Sequence, residues 1–125
     1  MGINSINGLV LKCAFKVHTA LGPGLLENAY EACLKHELIM SGLKTQSQVE
    51  LPVYYDNVTI DVGYRLDLVV EDSVVIEFKS VGQLMPIHDA QLLTYLKLSG
   101  YKLGLLINFN VPRLKQGIKR LVNNL

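Results

Sequence analysis

The run Gly63-Tyr-Arg-Leu-Asp-Leu-Val-Val-Glu-Asp-Ser-Val-Val-Ile-Glu-Phe-Lys-Ser80 reads as a β-hairpin. Two short apolar segments rich in β-branched residues flank a polar turn, Glu71-Asp72-Ser73. With Val70 and Val74 as the last pair before the turn, Leu68 opposes Ile76 and Leu66 opposes Phe78. These six apolar side chains are then expected on one face. The same register sets Asp67 against Glu77 and Arg65 against Lys79 on the other face, and a one-residue slip would mix the two. Like charges directly opposed across two strands repel. A cation is therefore expected between Asp67 and Glu77, and a hard divalent metal with oxygen ligands fits. The hairpin carries a candidate site.

At 125 residues the chain is expected to form one domain, spanning residues 1–125. Half of the residues are hydrophobic and 18% are charged, the balance of a folded globule rather than a disordered chain. A formal net charge of +1 creates no global demand for nucleic acid, so any basic stripe would be local. Cys13 and Cys33 lack metal-ligand spacing. They read as buried small hydrophobes in a reducing compartment, with a disulfide between them as the weaker alternative. The start, Met-Gly-Ile-Asn-Ser-Ile, has no basic segment followed by an apolar core. No apolar run reaches membrane-spanning length. A cytoplasmic location is expected.

Around the hairpin the chain reads as ααβββαβα. Leu9, Val10, Cys13, Ala14, Val17 and Leu21 recur at helical spacing over residues 5–21, and Gly22-Pro23-Gly24 closes that helix. His18 on it reads as a partly exposed surface or packing residue. A second helix spans residues 25–41, with Glu27 in the first turn, where a carboxylate favours the helix dipole. Tyr30 and Glu31 lie one turn further on. Alternation from Val49 to Tyr55 and from Thr59 to Val62 predicts two strands about Asp56-Asn57, the second running on through Gly63 to Val70. After Pro86 a third helix, residues 87–98, places His88, Gln91 and Tyr95 along one side. Residues 101–108 form a strand apolar enough to be buried on both faces. It is expected parallel to the strand bearing Glu77, with the third helix as a right-handed crossover. Residues 113–125 read as a final helix, whose Arg113, Lys115, Lys119 and Arg120 make a solvated face or touch phosphates. The sum is an α/β domain with a central mixed β-sheet flanked by helices.

Asp67 followed after nine residues by Glu77-Phe78-Lys79 resembles the signature of the PD-(D/E)XK nuclease superfamily. Gln91-Leu-Leu-Thr-Tyr95 is similar to the Gln-x-x-x-Tyr motif of its RecB-like and Cas4-like branches. Gly24-Leu-Leu-Glu27-Asn-Ala-Tyr30 resembles the motif of the GxxExxY protein family, a compact branch of that superfamily. Tyr64-Arg-Leu-Asp-Leu68 and Leu106-Ile-Asn-Phe-Asn110 look like further blocks of it. Leu66 departs from the wider pattern, which has proline before the aspartate.

The resemblance implies a restriction-endonuclease-like core and a Mg2+-dependent nuclease, with Mn2+ as a substitute. Asp67, Glu77 and the backbone carbonyl of Phe78 would be metal ligands, with Glu27 completing the shell directly or through water. Lys79 would orient or help deprotonate the attacking water, or offset charge in the transition state. Gln91 and Tyr95 would brace the site and contact the nucleic acid backbone, with His88 a weaker candidate at the same edge. The implied partner is nucleic acid, DNA first, in repair or defence, and a homodimer or protein partner would complete so small a core. Few histidines and cysteines near the motif argue against zinc. The alternative is a domain that keeps the fold without catalysis and binds nucleic acid or a protein. A small-molecule enzyme finds no support, because no phosphate-cradling glycine loop is present.

Overall fold

A computed structural model describes residues 1–125. Its helices are α1 (Ile3–Leu21), α2 (Glu27–Met40) and α3 (Pro86–Ser99). Its strands are β1 (Thr45–Glu50), β2 (Val53–Tyr55), β3 (Val58–Ile60), β4 (Arg65–Val70), β5 (Val74–Lys79), β6 (Leu103–Asn108) and β7 (Ile118–Val122). Five strands form one mixed sheet in the order β1-β4-β5-β6-β7, and β2 with β3 forms a separate two-stranded hairpin. No helix is long and apolar enough to cross a membrane.

The two faces of the sheet are covered by different helices. On one, Ile6, Val10, Cys13, Ala14 and Val17 of α1 and Tyr30, Leu34 and Leu38 of α2 pack on Leu68, Val70, Ile76 and Phe78. Their spacing of three and four residues is the apolar stripe of an amphipathic helix. On the other face, Leu92 and Leu96 of α3 close over Val69, Val75 and Leu106. Gly104 of β6 makes this approach close, since a Cβ there would press on the Leu92 side chain. Strand β6 is buried at every position and runs parallel to β5, with α3 between them in the chain. The expected strand–helix–strand unit is present.

The last segment corrects the expectation. Residues 113–125 do not form a helix: a 3-10 turn, Leu114–Gly117, leads into β7, which pairs antiparallel with β6. Leu114, Ile118, Leu121 and Val122 have helical spacing, but an unpaired β6 edge would leave buried backbone donors and acceptors without partners. The edge wins. Gly117 permits the close approach, because a Cβ there would collide with the carbonyl oxygen of Asn108. Gly117→Ala is expected to lower stability by about 3 kcal/mol, read from urea unfolding, since backbone rather than a side-chain tip must move.

The expected long strands also break. Thr45–Glu50 pairs with Arg65–Val70, while Val53–Tyr55 pairs with Val58–Ile60 in a register offset from the first. Leu51-Pro52 on one side and residues 61–64 on the other absorb the offset. Proline cannot donate to a ladder, so the break falls there. His18 also differs from expectation, because it is buried and its Nε2 lies 2.9 Å from the Val111 carbonyl oxygen. Both cysteines are free, Cys13 buried and Cys33 half-buried.

Candidate active site

The β4–β5 ladder keeps the expected register but stops early. Leu68 pairs with Ile76, Val69 with Val75 and Val70 with Val74, and no ladder pair forms beyond them. Past Leu68 the strands splay, and two carboxyl groups take over the bonding. The Phe78 N–H donates to Asp67 Oδ2 at 2.9 Å, and the Asp67 N–H donates to Glu77 Oε1 at 3.3 Å. Each carboxyl group is thereby fixed by the opposite strand. In an extended strand the N–H and C=O of one residue point to the same neighbour, so the Phe78 carbonyl faces the same gap.

The splay changes a face as well. Leu66 packs under α3 with Leu51 and Val75, not with Leu68 and Val70 on the α1–α2 side. The expectation of six apolar residues on one face therefore fails at Leu66. An irregularity lies beside it in β1. Gln48, between Ser47 and Val49, has φ of 51°, and those neighbours pair with Leu68 and Leu66. A left-handed non-glycine residue inside a strand is uncommon, and such backbone clusters at functional sites. Arg65 does not lie against Lys79 as a charged pair; it bridges to Glu50 across β1 at 3.2 Å.

Glu77 is 8% exposed, one of three buried polar residues in the chain. Burial first, and then the neighbouring Asp67 charge, push its carboxyl up to about 9, with Lys79 acting in the opposite direction. It therefore holds a proton at neutral pH when no cation is present. Lys79 lies on the same face of β5 as Glu77 and lines a cavity with Gln91 and Tyr95 of α3. The Gln91 side-chain amide donates to the Tyr95 hydroxyl at 3.0 Å. Burial raises the Tyr95 phenol above its ordinary value, and the charges of Glu77 and Asp67 add to the effect. The two motifs thus converge on one region, β5 supplying the carboxyl and amine and α3 the wall.

A protein-family model described as the PD-(D/E)XK nuclease superfamily matches residues 4–121. The chain belongs to that superfamily. The mixed central sheet flanked by helices agrees with its restriction-endonuclease-like fold. No curated protein and no solved structure matches the chain.

Within this superfamily fold, Glu27 stands apart from the carboxyl pair. It is exposed at the start of α2 and lines a shallow recess with Leu26, Asn28 and Ser80. No third histidine, cysteine, aspartate or glutamate joins Asp67 and Glu77 in a set of three metal-binding side chains. Glu27 makes no side-chain cap but stands in the first turn of α2, as expected of a carboxylate that favours the helix dipole. The all-oxygen set facing the gap is two carboxyl groups and the Phe78 carbonyl. That set suits Mg2+, which keeps several waters and is typically held by one or two carboxylates.

Three further residues near the site take roles that the motifs do not specify. Glu31, one turn beyond Glu27 and half-buried, accepts from the Gln48 amide at 3.1 and 3.2 Å. Burial holds its carboxyl above the ordinary range, the Gln48 hydrogen bond pulls it back, and the charge of Asp67 pushes it up again. Glu31 is thus a half-buried helical carboxyl that feels the charge of Asp67. Asn108, fully buried at the end of β6, accepts from the Val81 N–H at 3.1 Å and donates to the Val81 carbonyl at 3.0 Å. It pins the chain two residues after Lys79. His88 does a local task, its Nδ1 accepting the Met85 N–H at 2.9 Å at the start of α3.

Tyr30 ties the glycine loop to the site. Gly22 and Gly24 have φ of 66° and 104°, which glycine adopts without strain. The buried Tyr30 hydroxyl donates to the Gly22 carbonyl at 2.6 Å and accepts from the Leu25 N–H at 3.1 Å. Its ring stacks on Phe109 at 4.5 Å, so the whole side chain is committed to packing. Ser80, next to Lys79, donates to the Leu25 carbonyl at 2.6 Å. Tyr30→Phe keeps the ring and removes both hydroxyl bonds, and is expected to lower thermal stability by about 1–3 kcal/mol.

Proposed function

We propose that the protein is a Mg2+-dependent nuclease of the GxxExxY branch, hydrolysing phosphodiester bonds in nucleic acid, DNA first, in repair or defence. The observation that carries this reading is the splayed end of β4 and β5. The Glu77 carboxyl is held there by the Asp67 N–H and the Asp67 carboxyl by the Phe78 N–H, beside the Phe78 carbonyl and on the Lys79 side of the sheet. Glu77 is buried and Asp67 half-buried, and two acidic groups this close with no basic partner between them are costly to ionise together unless a cation joins them. A divalent ion bound by Asp67, Glu77 and the Phe78 carbonyl would activate water and offset phosphoryl charge.

The remaining chemistry falls to the chain's own residues. Lys79 is a compact cation beside Glu77, suited to holding a phosphate oxygen or orienting the attacking water. Gln91 fixes the Tyr95 hydroxyl, whose own proton stays free to donate to a backbone phosphate. Glu31, braced by Gln48, supports the site from the α2 side.

A second reading draws on the β2–β3 hairpin. Tyr54, Tyr55 and Val58 are exposed there, and no lysine or arginine occurs from Val53 to Tyr64. That surface suits a protein partner or a second copy, and a domain without catalysis would use it as its main function. Incubation with labelled DNA and RNA in Mg2+, Mn2+ or EDTA separates the two. The nuclease reading expects metal-dependent product that disappears in Asp67→Asn. Intact substrate under every metal condition, with wild type folded, favours the binding module.

A further inference from the structure

The cavity beside Lys79 has a volume of about 670 Å³, within the size range of small-ligand sites, roughly 300–1,000 Å³. It lies between α3 and the chain entering β4, and its walls are mostly apolar, Ile87 and Leu98 among them. Such walls suit a flat apolar group better than a run of phosphates. Tyr64 and Tyr95 meet there, their ring centroids 5.9 Å apart and tilted by 45°. Tyr64 is 46% exposed, so its side chain is accessible to an incoming group.

We propose that this cavity receives an unpaired nucleobase of the substrate, so that the protein acts on single-stranded or frayed nucleic acid. The proposal rests on the nuclease reading of Asp67, Glu77 and Lys79 and specifies its substrate. Every base offers a flat π face, and stacking on tyrosine is the usual way a protein holds an unpaired one. The Thr94 hydroxyl and the Gln91 amide supply polar groups for a base edge. Lys79 belongs to the same lining, which puts a cation where the phosphate next to a seated base would lie. A duplex keeps its bases stacked on one another and cannot present one to this cavity without unpairing it.

The test is fluorescence anisotropy with labelled oligonucleotides, with Ca2+ in place of Mg2+ to hold off hydrolysis. Three probes of equal length are compared: a single strand, a blunt duplex and an abasic single strand. The single strand is expected to bind at least about ten-fold tighter than the other two. A 2-aminopurine placed in it is expected to lose fluorescence on binding. Tyr64→Ala should weaken the single strand by about ten-fold, leave the abasic strand unchanged and abolish the quenching, while Tyr64→Phe keeps all three behaviours. Equal affinity for the three probes, unmoved by Tyr64→Ala, would overturn the base pocket and leave the nuclease reading standing. No binding of any probe, with no saturable heat on Mn2+ titration, would overturn both.

Discussion

Replacing Glu77 by glutamine is expected to stabilise the metal-free protein at neutral pH and to remove its affinity for divalent cations. The folded protein raises the Glu77 carboxyl from an ordinary 4.5 to about 9. A carboxyl raised in this way contributes its full stability below the unfolded value and loses it as pH climbs toward the folded one. From 4.5 to 7 the unfolded chain releases a proton that the folded chain keeps. At about 1.4 kcal/mol per pH unit, that interval costs roughly 3 kcal/mol. Glutamine is always neutral and can donate to Asp67 as the protonated acid does, so it escapes this loss. In EDTA at pH 7, Glu77→Gln should melt roughly 10 °C above wild type. The difference should vanish near pH 4 and grow up to pH 9. Mn2+ affinity should fall by more than about ten-fold in the same variant. A variant less stable than wild type at pH 8 would contradict the buried, protonated state.

Lys79→Met is expected to lower the cleavage rate by about 10²–10³-fold while leaving Mn2+ affinity within about two-fold. Methionine keeps the length and packing of the stem but removes the charge. Lys79 is half-buried and lines the cavity beside α3. Loss of rate with retained metal binding assigns it to the reacting phosphate or water. Unchanged cleavage would make Lys79 a solvated sheet residue and move the chemistry elsewhere.

The hairpin and its register were legible because alternation specifies a half-buried strand, and Leu68 against Ile76 follows from it directly. The parallel β5–β6 pairing was legible from the unbroken apolar run Leu103 to Ile107. The face change at Leu66 was not, because the apolar alternation runs through it without a break, and no residue type marks the positive φ at Gln48 on the neighbouring strand. The final strand was hidden by Leu114, Ile118 and Leu121, whose helical spacing lost to the pairing demand of β6. Glu27 stood out because the GxxExxY motif that the chain resembles includes it, and it lies exposed at the start of α2, while Glu31 one turn on, which no motif marks, feels the charge of Asp67. Tyr30 from the same motif proved to be a buried brace for the glycine loop. Motif spacing locates the neighbourhood of a site, while helical phase and strand splay decide which side chain enters it.

The most direct measurement is a calorimetric titration of Mn2+ into metal-free protein at pH 7, in two buffers of different ionisation enthalpy. Wild type is compared with the double variant Asp67→Ala, Glu77→Ala. Saturable binding that releases close to one proton is predicted, because Glu77 must give up its proton to act as a ligand. Both the heat and the proton release should disappear in the double variant. No saturable heat in wild type up to millimolar Mn2+, or equal heat in the folded double variant, would contradict a metal centre at Asp67 and Glu77.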